Sequence, residues 1–295
     1  MSSIPEQELE YHYSPSRWSH RMSHQEVLES HVKVLNEYTR EAKWCLDVEA
    51  DISYGSTDKQ KLDVYTRKNS AGKEGSPIFV YIHGGYWQEK VVNRENAGFL
   101  AQPLAAAGAT VIPIGYELCP DVSLDEIVSE MKQAVNFIIK LARERRAGGI
   151  YLCGHSAGAH LAAMMLATCQ DDSQLIKGAV LVSGVYDVRP LVKTSVNDAL
   201  KLTEEDAWKL SPANVVKDIA SRSVDRDILI AVGEHDSPEF RRQSAELEKS
   251  LRDSGVRTLY MDIPDTDHFN VVEKLCEPSY SLTQECLTMM KLSGN

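Results

Sequence analysis

The sequence predicts an α/β fold, a mostly parallel central sheet with helices on both faces and a small helical cap inserted late in the chain. Two observations carry this expectation. From about residue 46 onward, short apolar runs of strand length alternate with longer helical stretches, the pattern of a parallel sheet covered on both sides. Most of the apolar runs end in loops rich in Gly, His, Asp or Ser, and in a doubly wound sheet functional groups gather at those strand exits.

Taken in order, residues 1–45 read as an extension packing on the fold, with a loop-like Tyr13-Ser14-Pro15-Ser16-Arg17-Trp18 and a helix from about Gln25 to Lys43. Residues 46–295 form the main domain. Asp47–Tyr54 and Lys61–Thr66 read as strands joined through Gly55-Ser56, an antiparallel pair. Pro77–Ile82 is a fully apolar strand, followed by a glycine loop, a helix near Glu95–Ala106, and the strand Ala109–Ile114. Ser123-Leu124-Asp125-Glu126 is a capping box, and the apolar stripe Leu124, Ile127, Val128, Met131, Val135, Ile138 and Ile139 marks the segment it opens as a long amphipathic helix. Next come the strand Gly149–Cys153, the helix Ala159–Thr168 and the strand Gly178–Val182. Residues 187–220 break the rhythm with short polar helices, as a cap over an active site would. The strand Asp227–Val232, a helix from Pro238 to Leu251, the strand Arg257–Ile263 and helices after Asn270 complete the chain.

The chain has 295 residues, 43% hydrophobic and 25% charged, ordinary values for a globular protein with a large core. Its 32 basic and 43 acidic residues leave a net charge of −11, which argues against nucleic acid or an anionic membrane as partner. The polar first thirty residues hold no secretory apolar segment, and no run approaches the about 20 residues of a membrane span. Six scattered cysteines, Cys45, Cys119, Cys153, Cys169, Cys276 and Cys286, show no C-x-x-C pair and no zinc-ligand spacing. These features suit a reducing cytoplasmic compartment, and no metal or cofactor is expected. The expected partner is a small-molecule substrate; oligomeric state, a homodimer included, stays open.

The chemistry starts at Gly154-His155-Ser156-Ala157-Gly158, a G-x-S-x-G segment between a strand and a helix, the context of a nucleophile elbow. Three other strand exits supply companions. After Ile82 comes His83-Gly84-Gly85-Tyr86-Trp87, where backbone N–H groups of Gly84, Gly85 and Tyr86, together with that of Ala157, can form an oxyanion hole. After Val232 comes Asp236, and after Ile263 comes His268. The order Ser156, Asp236, His268 is that of the α/β-hydrolase fold, with His268 as base and Asp236 orienting its ring. Asp187, after the strand ending at Val182, is an alternative acid, while Asp265 and Asp267 lie too close to His268 in sequence to face it well. His160 and His235 read as packing and loop residues, and His83 as a tie within its own loop; His155, at the variable position of the elbow, is placed to contact substrate.

These segments, with Tyr13–Trp18, Tyr151–Met164, His235–Phe240 and Asp267-His268-Phe269, resemble kynurenine formamidases (arylformamidases), a branch close to the hormone-sensitive-lipase-like esterases. Two departures from those esterases stand out: Tyr86 occupies the place of their third glycine, and Tyr116-Glu117-Leu118-Cys119-Pro120 lacks their arginine. The resemblance implies hydrolysis of N-formyl-L-kynurenine to L-kynurenine and formate in tryptophan catabolism, in the cytosol with some nuclear presence. Its scissile bond joins a one-carbon acyl group to a flat aryl amine; Tyr86 and Trp87 are placed to wall the aryl side, with Trp87 equally readable as a core or loop anchor. A broad carboxylesterase is the near alternative, and a non-catalytic binding protein of this fold the distant one.

Overall fold

A computed structural model describes residues 5–70, 73–169 and 174–293; residues 1–4 of the expected extension lie outside them. Among the described residues, eight strands make one sheet: β1 (Leu46–Ser53), β2 (Lys61–Arg67), β3 (Ile78–Ile82), β4 (Thr110–Ile114), β5 (Ile150–His155), β6 (Ile176–Val182), β7 (Asp227–Gly233) and β8 (Arg257–Ile263). Their spatial order is β1-β2-β4-β3-β5-β6-β7-β8. β1 and β2 pair antiparallel, as does β2 with β4, and every later pairing is parallel.

The helices are α1 (Glu6–His12), α2 (His24–Cys45), α3 (Ala101–Ala106), α4 (Leu124–Glu144), α5 (Ala157–Thr168), α6 (Asn197–Leu200), α7 (Glu204–Lys209), α8 (Val216–Arg222), α9 (Pro238–Asp253), α10 (Asn270–Glu273) and α11 (Ser281–Met289). Strand alternation sends side chains into two cores. From β3, Ile78, Val80 and Ile82 join the layer containing α4, α5 and α9, while Phe79 and Tyr81 join the layer containing α2, α3 and α11. The predicted capping box is present on α4: Ser123 Oγ accepts the Glu126 N–H, and the Glu126 carboxylate accepts the Ser123 N–H at 2.7 Å. α5 runs through the centre, buried along nearly its whole length, which fixes its first residue, and so Ser156 before it, relative to β5.

Two expectations about elements need correction. The helix expected over Glu95–Ala106 is a 3₁₀ turn at Arg94–Asn96 followed by the short α3. Gly98 separates them, with the Tyr65 ring pressed against the place a Cβ would occupy. Tyr13–Trp18 is not a plain loop, since Pro15–Trp18 forms a 3₁₀ turn. Within 187–220, α8 packs against α5 and α9 as part of the layer covering the sheet.

Candidate active site

Ser156 sits at φ 54°, ψ −120°, a conformation that L-residues adopt only when their surroundings enforce it. Those surroundings are visible. A Cβ on Gly154 would run into the Gly158 carbonyl, and one on Gly158 into the Ile82 carbonyl, so both glycines of G-x-S-x-G are forced by backbone approaching backbone. The Ser156 N–H donates to the Val182 carbonyl at 2.9 Å, which ties the elbow to β6.

His268 follows β8 and Asp236 follows β7. The His268 Nδ1 lies 2.9 Å from Asp236 Oδ2 and 3.1 Å from Oδ1, and both side chains are buried. An Nδ1–H held by the carboxylate leaves Nε2 as the basic nitrogen. The His268 ring packs edge-on to Phe240 at 4.6 Å, and its backbone carbonyl accepts the Nε2–H of His155 at 2.8 Å. His155 is therefore protonated at Nε2. Burial, then the neighbouring His268 and His31 rings, push its pKa well below the usual histidine value, so it is neutral.

The His83–Trp87 loop runs against the elbow: a Cβ on Gly84 would come within 2.9 Å of the His155 carbonyl and 3.1 Å of Ser156 Cβ. Its carbonyls are gripped from the far side. Tyr116 O–H donates to the His83 carbonyl at 2.8 Å, and the His83 Nδ1–H donates to the Gly84 carbonyl at 2.9 Å. Since N–H and C=O of one peptide plane point in opposite directions, these two bonds turn the Gly84 and Gly85 N–H groups away from Tyr116. The His83 ring stacks on Tyr116 at 4.2 Å, and burial lowers its pKa to about 4. Ala157 is the first residue of α5, where an N–H has no partner within the helix.

Ser156, His268, Gly84, Gly85, Tyr86 and His155 open onto one cavity of about 320 Å³. It is lined also by Tyr81, Phe99 and Phe269, and by Ser14, Ser16 and His24 from the N-terminal segment. That volume is at the lower end of the roughly 300–1,000 Å³ typical of small-ligand sites.

A family model described as the alpha/beta hydrolase fold matches residues 79–271. The kynurenine formamidase of Danio rerio is 43% identical over 291 residues, covering 98% of this chain and 97% of that protein. The kynurenine formamidase of Salmo salar is 44% identical, with 96% of each chain covered. The chain belongs to the kynurenine formamidase family. The family extends to a Drosophila melanogaster kynurenine formamidase at 29% identity over 90% of this chain and 92% of that one. A hyperthermophilic esterase from Pyrobaculum calidifontis shares the fold, with TM-score 0.70 at 20% identity over 91% of this chain and 93% of that one.

Against this family background, one expected site residue moves. Trp87 does not wall the cavity: it is fully buried and packs edge-on to His160 at 4.8 Å, within the core. Tyr86 and Trp87 both have positive φ, 47° and 60°, so the chain turns sharply at each and the neighbouring side chains diverge, Tyr86 to the cavity and Trp87 to the interior. The positive φ at Tyr86 also explains why related esterases place glycine there. His160 donates its Nε2–H to the Leu210 carbonyl at 2.6 Å, and Asp187 is engaged by Arg189.

The N-terminal segment supplies residues that sequence reasoning missed. Tyr86 O–H donates to the Tyr13 carbonyl at 2.7 Å, and Tyr13 O–H donates to Glu239 at 2.9 Å. Gln243 donates to that same hydroxyl at 2.8 Å, while its carbonyl oxygen accepts the Tyr186 and Asp187 N–H groups. Asp267 binds Ser19 and Arg21, and Glu273 binds His31. One signal was available: Glu239 and Gln243 stand four apart on the buried face of α9, and buried polar pairs require partners.

Among the described residues, no helix is long and apolar enough to cross a membrane.

Proposed function

We propose that this chain hydrolyses N-formyl-L-kynurenine to L-kynurenine and formate, with Ser156 as nucleophile, His268 as general base and acid, and Asp236 orienting His268. The observation that most supports this is the His268 Nδ1–Asp236 contact of 2.9 Å beside a strained Ser156 in a shared cavity, in a chain related end to end to kynurenine formamidases. In the first half-reaction His268 Nε2 takes the Ser156 proton as Oγ attacks the formyl carbon. The oxyanion is met by N–H groups of Gly84, Gly85, Tyr86 and Ala157. His268 then protonates the departing aryl amine, leaving a formyl ester on Ser156. Water, deprotonated by the same imidazole, releases formate and restores the serine.

Tyr86, Phe99 and Phe269 offer an aromatic lining for the aryl ketone. Ser14, Ser16, His24, Glu89 and Ser195 also line the cavity and are the polar candidates for holding the amino-acid end. The scattered cysteines, four of them buried, suit a reducing cytosolic compartment.

Ser156→Ala is expected to cut kynurenine release by about 10⁴–10⁶-fold, the scale seen when a serine nucleophile is removed. Undiminished release would remove the serine mechanism. A panel of formyl, acetyl and butyryl anilides with simple esters tests the substrate, and preference for larger acyl groups would overturn the formamidase reading.

A further inference from the structure

We propose that Arg21, on the N-terminal segment, is a positioning residue for His268 and acts through Asp267. This rests on the assignment of His268 as the base.

Asp267 precedes His268 directly, and its side chain has no exposed surface. Five donors converge on that carboxylate. Two are backbone N–H groups just beyond His268, those of Phe269 at 2.9 Å and Asn270 at 3.0 Å, both reaching Oδ1. Asn270 returns the interaction by accepting the Asp267 N–H at 2.7 Å, so the carboxylate closes a tight turn around His268. The other three donors come from the far end of the chain: Ser19 Oγ at 2.6 Å, Arg21 Nε at 2.8 Å and Arg21 Nη2 at 3.1 Å. Arg21 Nη2 also lies 3.6 Å from Glu273, whose other oxygen is 2.8 Å from His31 Nδ1. One guanidinium thus bridges both carboxylates that flank the His268 loop.

A planar fork against a carboxylate fixes orientation as well as charge. Burial alone would raise the Asp267 pKa, but the bonds from Arg21, Ser19 and Asn270 outweigh it and hold the group ionised. Without Arg21 the buried carboxylate must take up a proton or admit water, and a protonated carboxyl loses acceptor capacity for the donors that remain. The turn that sets the His268 ring then relaxes. Arg21 is not among the residues lining the cavity, so its loss is read in the chemical step and not in substrate binding.

The experiment compares Arg21→Gln, Arg21→Lys and Ser19→Ala with the unaltered full chain. It measures kcat and KM for N-formylkynurenine, the rate of Ser156 phosphonylation by a fluorophosphonate, and folding by circular dichroism. Misplacement of a catalytic group by about 1 Å costs about 10²-fold. Arg21→Gln is therefore expected to lower kcat by about 10–100-fold and to slow phosphonylation by the same factor, with KM within about twofold. Arg21→Lys, which keeps the charge and loses the fork, is expected to fall between. Folded Arg21→Gln with unchanged kcat and phosphonylation overturns the proposal, as does a change confined to KM. Should Arg21→Gln not fold, Arg21→Lys and Ser19→Ala decide on the same two rates. Normal phosphonylation of the unaltered chain without turnover of N-formylkynurenine would defeat the substrate assignment alone and leave the Arg21 comparison intact.

Discussion

Trp87 separates a core role from a substrate role. It is fully enclosed, touches the His160 ring, and its indole N–H has no hydrogen-bond partner among the described residues. Truncation to alanine removes a whole buried indole, and large aromatic deletions cost about 3–5 kcal/mol. At roughly 2–4 °C per kcal/mol for a chain of this size, Trp87→Ala should melt about 6–20 °C lower. Trp87→Phe is a different perturbation. It retains most of the buried volume and removes a donor whose burial without a partner itself costs about 1–3 kcal/mol, so the two effects nearly cancel. Its melting temperature should stay within about 4 °C of the parent. Differential scanning fluorimetry paired with steady-state kinetics checks both: KM should move less than about twofold in Trp87→Phe, because the ring does not border the cavity. A tenfold rise in KM with an unchanged melting temperature would place the indole against substrate and overturn its assignment to the core.

Gly158→Ala should abolish phosphonate labelling and yield misfolded protein, since its methyl would meet the Ile82 and His83 carbonyls; a folded, labelled variant would show that the elbow can relax. Tyr86→Phe loses the bond to the Tyr13 carbonyl, a contribution of about 1 kcal/mol, and should speed proteolytic clipping before Ser23; unchanged clipping contradicts the tie. Acid sensitivity arises from buried neutral imidazoles. Burial lowers the pKa of His83 and of His160 to about 4, and burial also depresses that of His155. As pH falls below the free value of 6.5, the unfolded chain takes up protons that these rings refuse, so stability is full above 6.5 and declines toward about 4. A urea midpoint that is flat across that window would contradict it.

The central strands β3 to β7 were legible because each is a short, largely apolar run bounded by turn residues, and β8 begins and ends where the pattern places it. Ser156, Asp236 and His268 were legible for a related reason: a parallel sheet delivers every strand exit to one edge, so motif order along the chain becomes proximity in space. The position of β3 between β4 and β5 was not legible, because crossover choice depends on long-range packing that local patterning does not encode. The role of Trp87 was left open between pocket wall and core for a local reason: the two consecutive positive φ values that separate its side chain from that of Tyr86 leave no mark in the sequence pattern. The bonds from Ser19 and Arg21 to Asp267 join residues 248 and 246 positions apart, and a lone Arg in a polar extension carries no pattern that names its partner.

Everything else depends on the formyl group passing through Ser156. Rapid mixing with N-formylkynurenine, acid quenching within the first turnover and peptide mass spectrometry measure it directly. A formyl adduct is expected on the peptide containing Ser156, appearing with a burst of kynurenine and absent from Ser156→Ala. Steady release of kynurenine without a burst and with no adduct in the first turnover, or equal turnover by Ser156→Ala, would contradict passage through the serine.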